Sequence, residues 1–439
     1  MTKPNSIFWN YILSSILIFL LFFKGSAQEG LAYSTPQKEG LDRELLHAKA
    51  DSIITNGIKK EAFPGAQVLV AKSGKIIFHE VYGYHTYDSI QKVDKTDLYD
   101  LASVTKIMGP LPALMKLVEE GKLDLDAPFS QYWKPWKRRK DKRDITLREL
   151  LAHQAGMQPY IVFLNEVLDD GKPKRRFVRS VPSDRFSAQA YDSIFIKNSF
   201  SRKMFRKINR SPVKAEKEYL YSGLASLIYP QLIEDLTGDS YEYYLKKHFY
   251  LPLGCPSLVY TPERIGFPNA IVPTEFDTLF RHDLTRGWVH DENASLMGGV
   301  SGNAGLFGTA MDLGRMMQFY QNFGWLGNEQ ILQKETVKEF IRVQYPDNDN
   351  RRGLGFDKPL LNNSELPLEE AYPAPAASKA SFGHSGFTGT FVWADPEKEL
   401  VFIFLSNRVY PDRSHRMLYE LNIRTALHQL FYESQLSSY

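Results

Sequence analysis

Apolar residues along this chain recur with two different periods, and the changeover between them divides it. Leu45, Leu46, Ala50, Ile53 and Ile54 fall at helical spacing between Leu41 and Ile58, and Gly57 and Pro64-Gly65 close that segment. Two strand-like runs follow, Ala66–Ala71 and Lys75–Val81, joined by Lys72-Ser73-Gly74, a pattern that predicts a β-hairpin. Strand texture returns only near the other end. There Gly389–Ala394 and Glu399–Leu405 flank the polar turn Asp395-Pro396-Glu397-Lys398, and an amphipathic helix is expected over Met417–Phe431. From Ser103 to about residue 370 the pattern is mostly helix and loop, punctuated by Gly and Pro. Ile145–Met157 reads as one helix, with Thr146 as N-cap and Glu149 completing a capping box. Tyr221–Leu236, followed by Gly238, reads as another. Strands at both ends with helices between predict an α+β fold. Its antiparallel sheet is built from the two chain ends and flanked by helices, with a mostly helical lobe inserted.

The first residues change the picture of where the protein works. Lys3, an almost wholly apolar run from Ile7 to Phe23, and Gly25-Ser26-Ala27 before Gln28 have the order of a secretory signal peptide over residues 1–27. A retained anchor is the competing reading, although the run is slightly short and is interrupted by Asn10, Ser14 and Ser15. The expectation is export across the inner membrane to the periplasm. Residues 28–439 then form a single domain, with a sheet lobe over about 28–100 and 375–439 and a helical lobe over about 101–374. The single cysteine, Cys255, excludes an intramolecular disulfide and a thiolate metal site, and its apolar surroundings suggest a buried small residue. A net charge of only +3 does not call for a nucleic-acid partner. Basic residues do cluster at Lys137-Arg138-Arg139-Lys140 and across 170–215, read as a solvated surface insertion, with a docking face for an anionic partner as the alternative.

Candidate chemistry centres on Asp100-Leu101-Ala102-Ser103-Val104-Thr105-Lys106, where an extended stretch gives way to a helical one. One helical turn places the Ser103 hydroxyl and the Lys106 amine on the same face. A serine is a poor nucleophile until a neighbouring base takes its proton, and a lysine can do so when its surroundings lower its pKa. The same spacing occurs at Ser89–Lys92 and Ser211–Lys214, but among turn residues and before Pro212 respectively. Only Ser103 heads a long apolar-periodic segment (Ile107, Leu111, Leu114, Met115, Leu117, Val118), with a kink expected at Pro110 and Pro112. On these residues alone an ordinary N-cap serine remains the alternative. Tyr221-Ser222-Gly223 offers a phenol as a second proton carrier. His384-Ser385-Gly386, just before the strand from Gly389, offers an imidazole and a glycine that lets backbone approach a reacting carbonyl. Other polar residues have plainer readings. His153 fits a satisfied, partly buried histidine, His290-Asp291 lacks a third metal ligand and fits loop hydrogen bonding, and Trp133 and Trp136 fit core or cleft wall.

Six blocks in order carry a wider resemblance: Asp100–Lys106, Leu150-Leu151-Ala152-His153-Gln154-Ala155-Gly156, Tyr221-Ser222-Gly223, Val289–Ala294, Gly302–Ala310 and Phe382–Gly389. In them the chain resembles the serine β-lactamase and penicillin-binding-protein-like hydrolase family, in its branch of class C β-lactamases, D,D-peptidases and esterases. The resemblance implies the β-lactamase/transpeptidase-like fold and a serine hydrolase that needs no metal or cofactor. It implies that Ser103 is acylated, that Lys106 holds positive charge or takes the proton, and that Tyr221 is the partner base. His384 matches the first position of the family's Lys-Thr-Gly element. The oxyanion would lie between the backbone N–H groups of Ser103 and Phe387, with Gly386 and Gly223 beside the substrate. One departure stands out: the family's Tyr-x-Asn ends here in Gly223, which with His384 points to small esters or D-amino-acid peptides ahead of β-lactams. Peptidoglycan is then an expected partner, and membrane contact is expected only through the leader. The alternative is a non-catalytic protein of the same fold that binds peptidoglycan fragments, favoured by Gly223 and opposed by the intact Ser103–Lys106 pair.

Overall fold

The two strand-rich ends of the chain meet in one six-stranded sheet. In the computed structural model, which describes residues 31–434, its strands are β1 (Ala32–Tyr33), β2 (Gly65–Lys72), β3 (Lys75–Gly83), β4 (Phe382–Ser385), β5 (Phe391–Asp395) and β6 (Leu400–Ser406), in the order β1-β3-β2-β6-β5-β4. The expected leader, residues 1–27, lies outside the described residues. All neighbours are antiparallel except β1 with β3. The central join is β2 with β6, in a register that sets Val68 opposite Phe404 and Leu69 opposite Ile403.

Alternation along the strands sorts their side chains between two cores. Val68, Val70, Phe78, Trp393, Phe402 and Phe404 pack with the helices Arg43–Lys59 and Ile423–Glu433. Leu69, Ala71, Val392, Val401, Ile403 and Leu405 belong to the larger core shared with the inserted region. Burial on both faces is why these strands read as continuous apolar runs rather than alternating ones. The helix Ala310–Gln321 lies close on the inner face, and Gly314 permits it: a Cβ there would come within 2.9 Å of Leu69 Cδ2.

The inserted region is less helical than its apolar pattern predicts. The Thr146–Glu149 capping box forms as expected, but the helix it opens runs only over Leu147–Leu151. The chain then turns through His153 at φ 55°, held by long-range bonds: Asn350 Nδ2 donates to Ala152 O at 2.9 Å, and Leu220 N–H to His153 O at 3.0 Å. Tyr221 likewise does not begin a helix. The 3₁₀ turn Ala225–Leu227 and the helix Tyr229–Thr237 come after it, the latter closed by Gly238 at φ 78°. The segment after Ser103 breaks where its prolines predict. Pro110, which has no N–H to donate, starts a second helix, Pro110–Glu119, after Gly109. The basic insertion carries its basic residues on the surface, as expected, with Lys172, Arg176, Arg179, Arg185, Arg202, Arg206, Lys207 and Arg210 exposed, and it is a folded unit. Its three-stranded sheet and the helix Phe200–Arg210 bury Val178, Ile196, Phe200, Met204 and Ile208. Trp133 and Trp136 both donate their indole N–H to Asn209 Oδ1, at 2.8 and 2.9 Å, and so tie that helix to the neighbouring loop. No helix among the described residues is long and apolar enough to cross a membrane.

Candidate active site

The turn carrying Ser103 is built by its neighbour Asp100. A two-residue strand, Tyr99–Asp100, pairs with Leu306–Gly308, and Leu101 N–H continues the pairing to Leu306 O at 3.0 Å. The buried Asp100 carboxylate accepts from Ala102 N–H at 2.8 Å through one oxygen and from His290 N–H at 2.6 Å through the other. Burial pushes this carboxyl above its ordinary pKa, against the pull of those two donors. Ala102 is thereby held at φ 45°, in the left-handed region an alanine rarely adopts, and the backbone folds back into the short 3₁₀ turn Ala102–Val104 that carries Ser103. This close to the start of a turn the serine N–H has no preceding carbonyl to meet.

Three distant parts of the chain converge there. Lys106, buried to 8% exposure, donates from Nζ to Ser103 Oγ at 2.9 Å and to Asn303 O at 2.9 Å. Its Nζ lies 5.5 Å from the centre of the Tyr221 ring. Burial acts to raise the Tyr221 phenol, but the Lys106 and Arg352 cations, with hydrogen bonds to Ser103 and Lys106, outweigh it and leave the phenol below its ordinary pKa. The His153 ring packs 4.4 Å from that of Tyr221, and its Nδ1 accepts from Ser222 N–H at 3.2 Å. The expected satisfied, buried histidine is thus also the support on which the tyrosine rests.

His384 lies inside the edge strand β4, paired with Val392, rather than ahead of a strand as the pattern suggested. Its ring centre is 6.2 Å from that of Tyr221. Nδ1 lies 2.8 Å from Ser385 O, and since a carbonyl only accepts, Nδ1 carries the proton. Burial, then the positive charges of Arg352 and Lys106, bring the imidazole down to a pKa of about 3. His384 is therefore neutral at ordinary pH and presents an acceptor, not a cation, from Nε2.

The connection after β4 is fastened to the Ser103 turn. Thr388 Oγ1 donates to Asp100 O at 2.7 Å, and Thr390 Oγ1 to Leu101 O at 3.0 Å. Gly386 sits between them, where a Cβ would come 2.6 Å from Leu101 O. Arg408 Nε donates to Phe387 O at 2.8 Å, which orients that peptide, and no backbone carbonyl among the described residues takes the Phe387 N–H. Gly223, by contrast, opens on space, with nothing within 4 Å of where its Cβ would be.

All four candidate side chains, Ser103, Lys106, Tyr221 and His384, thus come together, with Phe387 and Gly386 on the adjoining strand connection. Sequence reasoning missed the roles of Asp100, Asn303 and Thr388, although each lies inside a block it had singled out. It missed Arg352 altogether, which lies in none. His290-Asp291 has the loop role expected of it: Asp291 caps the helix Glu292–Leu296 and accepts from Asn303 Nδ2 at 3.0 Å. Chemically, the arrangement offers a hydroxyl, an amine and a phenol in mutual contact, beside backbone donors.

A sheet formed by both chain ends, with this Ser-x-x-Lys turn beneath its edge strand, defines the β-lactamase/transpeptidase-like fold. The family model described as Beta-lactamase matches residues 50–427, and the chain belongs to that family of serine hydrolases. Among curated relatives, a protein of Salmonella heidelberg named "Putative D-alanyl-D-alanine carboxypeptidase" is 29% identical over 404 residues, 86% of each chain. One of the same name from Escherichia coli O157:H7 is equally similar, 29% over 404 residues with 86% of each covered. Solved structures share the fold at low identity. EstCE1, described as a hydrolase with promiscuous acyltransferase activity, superposes with TM-score 0.63 at 18% identity, covering 88% of this chain and 99% of that one. A class C β-lactamase of Rhodobacter sphaeroides gives 0.60 at 16%, covering 87% and 99%.

Proposed function

We propose that the protein is an exported serine hydrolase that works through an acyl-enzyme on Ser103, with small esters or D-amino-acid peptides as substrates. The observation that carries this reading is the contact of Ser103 Oγ with Lys106 Nζ at 2.9 Å, beside a Tyr221 phenol held below its ordinary pKa. Tyr221, as a phenolate beside the Lys106 cation, takes the serine proton as Oγ adds to the substrate carbonyl. The oxyanion is met by the N–H groups of Ser103 and Phe387. The same proton returns to the departing alcohol or amine, and water attacks the acyl group by the reverse route. His384, neutral and acceptor-only at Nε2, takes a donor of the substrate rather than a carboxylate. The open space at Gly223 removes an amide-orienting side chain, so esters are favoured over β-lactams.

The test is a mass-shift screen. Purified protein is exposed to a fluorophosphonate, then to a panel of esters, D-Ala-D-Ala peptides and penicillins. A single adduct on Ser103, absent from Ser103→Ala, is expected, with turnover on esters or peptides exceeding that on penicillins. A folded protein that takes no adduct would instead be a binder of peptidoglycan fragments.

A further inference from the structure

Arg352 is a buried cation beside the candidate site, at 2% exposure. Its guanidinium lies 5.6 Å from the centre of the Tyr221 ring. The backbone that delivers it is docked on the loop that supports the same tyrosine. Arg352 N–H donates to Asn350 Oδ1 at 2.9 Å, and Asn350 Nδ2 in turn donates to Ala152 O and, at 2.7 Å, to Gln154 Oε1.

Two observations separate this arginine from an ordinary buried ion pair. First, its counter-charge is shared. Asp357 Oδ1 lies 3.2 Å from Arg352 Nη1 but 2.6 Å from Arg351 Nη1, so one carboxylate serves two guanidinium groups and a positive charge is left over. Second, its other contacts are sparse. Nη2 donates to Gly355 O at 3.1 Å, and Nε has no hydrogen-bond partner among the described residues. A buried cation with incomplete pairing is costly unless something negative develops beside it. The other titratable groups around the Tyr221 ring are Ser103 and Lys106 below it, His153 packed against it and His384 on β4. The two histidines are held neutral by burial, His153 well below its ordinary pKa and His384 at about 3. Among the described residues, Lys106 and Arg352 are therefore the two that bring positive charge to the phenol.

We propose that Arg352 is a positioning residue that supplies Tyr221 with its second positive charge, on a site whose edge strand carries His384 where the family element has a lysine. The inference rests on the reading of Tyr221 as the proton carrier for Ser103, but its test does not require turnover. Arg352 acts through Tyr221 and touches no substrate.

The experiment is a ¹³Cζ-tyrosine NMR titration of the full protein, with the Tyr221 signal assigned by its loss in Tyr221→Phe. Arg352→Met and Arg352→Gln should raise the Tyr221 midpoint by about one pH unit or more, while Arg352→Lys, which keeps the charge, stays close to wild type. Asp357→Asn, which frees more of the arginine charge, should move the midpoint down. This opposite shift decides the matter even where Arg352→Met does not fold. An unmoved midpoint in Arg352→Gln, an equal rise in Arg352→Lys, or no fall in Asp357→Asn would each overturn the proposal. If esters are turned over, the acid limb of kcat/KM should follow the same midpoints, with about a tenfold loss near neutral pH in Arg352→Gln. Titration shifts in a protein that turns over nothing would sustain the role of Arg352 and count against the hydrolase reading instead.

Discussion

At Gly223 the family pattern and this sequence part company, and the structure turns that difference into space. The position has no crowding within 4 Å and no left-handed backbone, so a side chain fits there without strain. Gly223→Asn should therefore fold with an unchanged melting temperature. If the missing amide is what limits amide substrates, penicillin or D-Ala-D-Ala turnover relative to ester turnover should rise by about tenfold, which is the worth of roughly one well-made hydrogen bond to a reacting group. An unaltered ratio of the two activities would place the preference elsewhere, with His384 as the next residue to vary.

At the scale of elements, the site depends on how tightly the β4–β5 connection is fastened to the turn that holds Ser103. Thr388 and Thr390 bond to the carbonyls of Asp100 and Leu101, and Gly386 fills the gap between the two pieces with no atom to spare. Gly386→Ala should push the Phe387 N–H away from Ser103. Displacing a donor by a fraction of an ångström to 1 Å costs on the order of 10–100-fold in kcat/KM, while overpacking at one site costs about 1–3 kcal/mol of stability. Steady-state kinetics beside thermal melts would show activity falling far more than stability. Equal activity in a well-folded Gly386→Ala protein would remove the connection from the working site.

Across the whole molecule, burial holds several histidines neutral, and this sets a direction for stability with pH. His384 and His428 are brought down to about 3 and His79 to about 4, chiefly by burial, and His153 lies well below its ordinary value. In the unfolded chain each would take up a proton near pH 6.5, so between about pH 6.5 and 4 the unfolded state binds more protons. Stability is then lost as pH falls through this window, by up to about 1.4 kcal/mol per pH unit for each histidine. Asp100 and Asp312, whose carboxyls are raised by burial, act in the opposite sense, adding stability as pH falls through their raised values. The melting temperature should fall steadily from pH 7 to pH 5. His428→Phe should flatten that fall, because its ring stacks on Phe402 at 4.6 Å in an apolar core. A melting temperature level across that range would contradict the assignment of neutral buried histidines.

Much of this protein was legible one segment at a time. The hairpin at the start and the strand pair near the end follow from short-range alternation and turn chemistry. The Thr146–Glu149 cap and the break before Pro110 follow from backbone groups within four residues of each other. The Ser103–Lys106 pair follows from a single helical turn. Periodicity overran the true ends of the helices at Leu151 and before Tyr229, because there the backbone leaves the helix to meet groups that the local pattern does not contain. What only the tertiary structure decided are the partners brought from afar. Asp100 meets His290, Lys106 meets Asn303 O across 197 positions, and Arg352 arrives beside Tyr221 from a segment with no motif at all. Local sequence fixes dihedral preferences and which face is apolar. The neighbours that set the charge and geometry of a buried phenol depend instead on docking between segments far apart in the chain, as where Asn350 bonds Ala152 and Gln154 and brings Arg352 with it.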